Sequence, residues 1–153
     1  MITQIENYYL DQPIEEATEL KEFTAEEYEM FESAGYKKIL NNEKLFYGKN
    51  IIFNNSEWMT IIGSTNNQIY KISLQIMNLD KRMVNDTFKS TLVYMLKKMG
   101  KYSEHKLLSK KYIWDQSEGN IIYEQLNKFG QYCINIFITS NSIRKQMSKH
   151  VIK

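Results

Sequence analysis

Apolar residues in this chain recur at every second position in two blocks, and at every third or fourth position in the stretch between them. Few folds accept that order. Residues 43–53, 58–63 and 68–77 read as three strands, separated by Asn54-Asn55-Ser56 and Ser64-Thr65-Asn66-Asn67, both rich in turn formers. Connections this short make a meander. In the third strand Tyr70, Ile72, Leu74 and Ile76 share one face, with Lys71, Ser73 and Gln75 on the other, the alternation of a sheet covered on one side. Asp80 then caps a run in which Val84, Phe88, Leu92, Met95, Leu96 and Met99 keep helical spacing, and Gly100 stops it. At that spacing Met83, Met95 and Met99 read as gap-filling core residues in preference to a plastic binding groove.

Period two returns downstream. Residues 101–109 are polar and are expected to form a loop holding His105, after which 110–115, 120–126 and 131–139 give three more strands. Tyr132, Ile134, Ile136 and Ile138 alternate cleanly, and Ser140 or Asn141 is placed to cap a last helix through Ile143 and Met147. Strand runs joined by short turns, with no regular βα alternation, predict an α+β fold. The expectation is a mainly antiparallel sheet of about six strands in two meanders, with the helices packed on one face.

The N-terminal part has a different character. Phe23-Thr24-Ala25-Glu26-Glu27-Tyr28 carries a capping box, Thr24 with Glu27, and a staple of Phe23 with Tyr28. It predicts a helix that Gly35 ends, preceded by a short turn or extended arm over 14–20. Residues 1–35 hold ten carboxylates and one lysine, a net of −9, and the remainder carries +11. We therefore expect an acidic N-terminal helical segment that docks through Phe23, Tyr28 and Phe31 and leaves its carboxylates in water. Such a split governs association and steering more than fold.

At 153 residues the chain has the size of one domain, taken as 1–153 with 1–35 as its acidic arm and helix. No stretch approaches the roughly 18 apolar residues of a membrane span, and no signal-like segment opens the chain, which places it in the cytoplasm. Cys133, the single cysteine, forms no intrachain disulfide and reads as a small apolar strand residue. Abundant asparagine, lysine and isoleucine fit an AT-rich bacterial or phage genome.

Catalytic and cofactor motifs do not emerge. The six glycines, Gly35, Gly48, Gly63, Gly100, Gly119 and Gly130, are too scattered for a phosphate loop. Two histidines, His105 and His150, with one cysteine do not make a zinc pattern, and both histidines are read as solvated surface residues. No catalytic, cofactor-binding or metal residue is assigned. The densest basic and aromatic stretch is Lys97, Lys98, Lys101, Tyr102, Lys106, Lys110, Lys111 and Tyr112, which could track a phosphate backbone while tyrosines stack on bases. It holds no arginine, and lysines at a helix end need no ligand to explain them. The turn 115–120 is read as a turn, and Trp58 and Trp114 as residues packed against the core helix.

Three functions follow in order. The first is a small non-enzymatic protein-binding domain, of adaptor, inhibitor or immunity type, with an unidentified protein partner. The second is a small hydrolase or transferase whose site assembles only in three dimensions. The third is nucleic-acid binding through the Lys97 to Lys111 stretch. A deep pocket with convergent polar groups favours the second, and a flat charged surface the first.

Overall fold

The computed structural model describes residues 4–5, 7–34, 42–52, 56–128 and 131–142. A small hairpin, β1 (Gln4–Ile5) with β2 (Tyr8–Tyr9), is followed by a 3-10 turn at Ile14–Glu16, an edge strand β3 (Lys21–Glu22) and helix α1 (Ala25–Ser33). The first meander is β4 (Lys44–Ile52), β5 (Ser56–Thr65) and β6 (Gln68–Leu79), and helix α2 (Lys81–Met99) comes next. The second is β7 (Glu104–Lys106), β8 (Lys111–Asp115), β9 (Gly119–Lys128) and β10 (Gln131–Ser140). The main sheet runs β3-β4-β5-β6-β10-β9-β8-β7, and every neighbouring pair in it is antiparallel. It has eight strands where about six were expected. The additional ones are the short edges β3 and β7, too brief to show a period. β7 occupies the segment expected to be a loop.

Local chemistry sets the turns. Asn66 and Asn67 both take positive φ, 53° and 62°, the pair of left-handed residues that a two-residue hairpin of type I′ demands. Asp80 caps α2 by accepting from the Met83 N–H at 2.7 Å, and Gly100 ends it at φ 78°.

The last strand of each meander lies at the centre of the sheet, where Ile72 pairs with Ile138, Leu74 with Ile136 and Ile76 with Ile134. Over this ridge α2 lays its buried line Val84, Phe88, Thr91, Met95 and Met99. Phe88 stacks on Tyr123 at 4.6 Å, and the buried Tyr123 hydroxyl donates to the Phe88 carbonyl. Trp58 and Trp114 both lie in this core, and the Trp114 indole N–H donates to the Gly100 carbonyl at the end of α2. Leu92 and Leu96 are only half-buried, because the buried line drifts one position toward Thr91. Met95 and Met99 fill the core as expected, whereas Met83 is exposed.

Two side-chain placements differ from the alternation. Gly63 pairs with Lys71 and Ser64 with Ile69, so a bulge leaves Tyr70 as the extra residue. Ile69, not Tyr70, faces the core, and Tyr70 turns to the opposite side with Lys71. The helices also separate. Phe46 packs on the α2-side core, while its neighbours Leu45 and Tyr47 meet α1: the Leu45 N–H donates to the Tyr28 hydroxyl at 2.8 Å, and Phe23 packs against Tyr47, Tyr28 and Phe31. The two helices therefore lie against opposite faces, contrary to the one-sided packing expected.

Residues 7–20 are not helical beyond the 3-10 turn. They run across the α2-side face and bury Tyr8, Leu10, Ala17 and Leu20 in the main core. The Asp11 N–H donates to the Ile69 carbonyl and the Ile69 N–H to the Gln12 carbonyl, pinning this arm to the start of β6. Glu15, Glu16, Glu19 and Glu22 remain exposed. At α1 the capping box forms in full, with the Thr24 N–H donating to Glu27 Oε1 at 2.9 Å and the Glu27 N–H to Thr24 Oγ1 at 3.3 Å. The expected stop at Gly35, the turn residues 53–55 and 129–130, and the last helix beyond Ser142 with His150 lie outside the described residues.

Phe88→Ala is expected to cost about 3–5 kcal/mol in urea unfolding, and Leu92→Ala less than about 2 kcal/mol because its site is already half open. Equal losses from the two would remove the register assigned to α2. Thr24→Ala is expected to cost about 1 kcal/mol near neutral pH. Hydrogen bonding to Thr24 holds the Glu27 carboxyl below its ordinary value of 4.5. That contribution is whole above that value and lost as pH falls through the lower folded one; its main source is the residue-24 backbone N–H, which alanine keeps, so both proteins should lose it in acid and the gap between them should stay nearly constant.

Candidate docking face

Side chains at paired positions share a face of a sheet, so the registers define what α2 leaves uncovered. Across six strands on that face run Tyr47, Ile61, Ser73, Phe137, Ile122 and Ile113, each the direct partner of the next. Beside this row lies a polar one: Lys49, Met59, Gln75, Asn135, Glu124 and Lys111. Lys111 and Glu124 form an ion pair at 3.6 Å. The middle of the face is open. Phe137 is 37% exposed and Met77 43%, while Ile61, Ile113 and Ile122 are half-buried.

The two lateral ends of the face differ in what they expose. At the β3–β4 end α1, which buries none of its residues, exposes Glu26, Glu29 and Glu32 together with Met30. At the β7–β8 end the connecting turn thrusts out Leu107 and Leu108, 79% and fully exposed, between Lys106 and Lys110. Charge is balanced there, since Lys106 pairs with Glu104 at 4.0 Å and Lys111 with Glu124, so the α1 end supplies the acidic border of this face and the β7–β8 end an apolar one.

Under the acidic border sits a buried ionic cluster. Lys71 Nζ lies 2.6 Å from Glu43 Oε1, both side chains almost wholly buried, and the Tyr70 hydroxyl donates to the same carboxylate. Burial pushes the Lys71 ammonium below its ordinary pKa, against the opposing pull of Glu43. Gly63 makes room for it, since a Cβ there would stand 2.6 Å from Lys71 Cε and 2.8 Å from Cγ. The cluster joins β4 to β6 across β5, and its sequence signal was absent: Lys71 reads as one polar member of an alternating strand.

The basic and aromatic stretch is divided by the fold. Lys97, Lys98, Lys101, Lys106 and Lys110 are exposed, whereas Tyr102 and Tyr112 pack against the core. Tyr102 meets Tyr112 edge-on at 5.0 Å and also contacts Trp114. His105 is not a solvated loop residue. Its ring stacks on Tyr112 at 3.9 Å and meets Tyr102 edge-on. The tyrosines expected as base-stacking platforms are thus largely engaged with one another.

Cys133 is fully buried, with the Gln75 amide donating toward its sulfur at 3.8 Å. The 115–120 turn is structural: Gln116 N–H donates to the Gly119 carbonyl, and Asn141 ties the turn to the end of β10 through the Gln116 and Ser117 carbonyls. Asn141 donates its side-chain amide there, while the helix it was expected to cap lies outside the described residues. Among the described residues no three His, Cys, Asp or Glu side chains converge as metal ligands, and no helix is long and apolar enough to cross a membrane. No protein-family model, curated protein or solved structure matches the chain.

Lys71→Met is expected to destabilise the fold by about 3–5 kcal/mol, because it strands the Glu43 carboxylate in the interior, and Lys71→Met with Glu43→Leu should recover most of that loss. Gly63→Ala should cost about 1–3 kcal/mol through overpacking. A Gly63→Ala protein with unchanged unfolding midpoint would mean that Lys71 lies elsewhere.

Proposed function

We propose that this chain is a small non-enzymatic protein-binding domain, of adaptor, inhibitor or immunity type, acting in the cytoplasm of a bacterium or of a phage-infected cell. The observation that carries the reading is the apolar row through Ile61, Phe137, Ile122 and Ile113 on the face opposite α2. An open strip of this kind, rimmed by polar groups, is what a partner chain covers.

The acidic α1 border specifies the partner further. A surface with an apolar ridge and positive charge at one end would be steered into one orientation, since opposed potentials raise encounter rates and reject the wrong register. The occupant is therefore a folded protein surface with an apolar ridge and a basic patch that meets the α1 end.

A photo-crosslinking residue placed at Phe137 and expressed in the native cells should capture a discrete partner, while the same residue at Lys98, on the exposed side of α2, should not. Phe137→Asp should abolish co-purification of that partner and leave the thermal midpoint within a few degrees of wild type. Crosslinks that are equal from the two positions, or a partner that survives Phe137→Asp, would reject the face as the binding surface. A crosslinked species of twice the chain mass would make the partner a second copy.

A further inference from the structure

Where α2 passes the β7–β9 end of the sheet, on the face opposite the docking row, a cleft of about 240 Å³ remains. Its walls are apolar and largely aromatic: Phe88 and Leu92 from α2, and Tyr112 from β8 with His105 stacked on it. Two carboxamides enter it, Asn85 from α2 and Gln125 from β9. Gln125 Oε1 is buried and has no hydrogen-bond partner among the described residues. The mouth carries two exposed cations, Lys89 and Lys110. The rim is fixed in place, because the Gln125 N–H donates to the Lys110 carbonyl at 3.2 Å.

A buried amide oxygen left without a donor is costly, and an incoming N–H group relieves it. Flat aromatic walls favour a planar ring system over an aliphatic chain. Carboxamides match the adjacent donor and acceptor atoms along the edge of a nucleobase, as asparagine and glutamine do in reading adenine. Lysines at the mouth supply the point charges that hold phosphate. These four features converge within one small space, and only the aromatic wall also serves the packing of α2, through Phe88 on Tyr123.

We propose that this cleft binds a nucleotide, the base laid against the wall formed by Leu92, Phe88 and Tyr112 with an N–H directed at Gln125 Oε1, and the phosphate between Lys89 and Lys110. The site differs from the nucleic-acid track expected from the sequence, because only Lys110 and Tyr112 of that stretch take part, joined by α2 and β9 residues far from them along the chain. It is independent of the docking face, which lies on the other side of the sheet.

The test is NMR titration of the intact protein with 5′-AMP, 5′-UMP, inorganic phosphate and a short oligothymidylate, following the His105 ring, identified by comparison with a His150→Gln protein. A mononucleotide should shift His105 and the Gln125 side-chain amide. Lys89→Gln and Lys110→Gln should each weaken it about tenfold, the loss expected of one charged hydrogen bond. Gln125→Leu should weaken binding by a similar factor while leaving the response to inorganic phosphate unchanged, provided its unfolding midpoint matches wild type. Should Gln125→Leu fold poorly, the lysine variants, on the surface of the molecule, decide the matter alone. Oligothymidylate that binds more tightly than the mononucleotides, with the same sensitivity to Lys89→Gln, would identify the source as the end of a single strand. Binding of mononucleotides alone would identify a free nucleotide. The proposal fails if neither mononucleotide nor oligonucleotide shifts His105 at about millimolar concentration, or if inorganic phosphate binds as tightly as the nucleotides.

Discussion

The pairing of β6 with β10 is the constraint on which the rest of the structure depends. These strands are separated by 50 or more residues, yet their isoleucine and leucine partners form the ridge that α2 covers. Each meander by itself is a three- or four-stranded piece with an unpaired inner edge. Joined at that edge, the two give a sheet wide enough for α2 to seal at the centre and for the N-terminal arm to seal beside it. Closing so long a loop is slow, and the two meanders are local enough to form first.

A single additional residue makes the two halves unequal. The bulge at Tyr70 re-aims one strand at one point, bringing a tyrosine, a lysine and a glutamate together beneath α1. An ion pair as buried as Lys71 with Glu43 contributes less to stability than an apolar pair of the same volume would, but neither partner tolerates the loss of the other. Its effect is to tie β4 to β6 in one register. That register in turn positions Tyr47, to which α1 is attached through Phe23 and Glu27.

Much of the secondary structure was legible. The strands of both meanders, the limits of α2 and the cap at Thr24 follow from period, turn chemistry and hydrogen-bonding side chains, all of which act over a few residues. What was hidden depends on distant partners. Tyr70 breaks its alternation because of Gly63 on the neighbouring strand, and β3 and β7 are strands only because β4 and β8 lie beside them. Thr91 and Tyr123 are polar by type and central by position, since each faces α2 or the sheet at its closest approach. The docking face and the cleft were less legible still, because each is assembled from residues contributed by four or more elements.

The two ends of the main sheet carry a consequence of their own. β3 contributes two residues and β7 three, all but one of them charged, beside strands of nine and five residues. An outermost strand normally offers a row of free backbone donors and acceptors on which another chain can continue the sheet. Strands this brief offer too few, and the charged side chains they carry resist burial under an added strand. Lateral growth into fibrils is thereby discouraged at the margins, and a protein with so broad a sheet can expose a partly apolar face without becoming a seed for its own polymerisation.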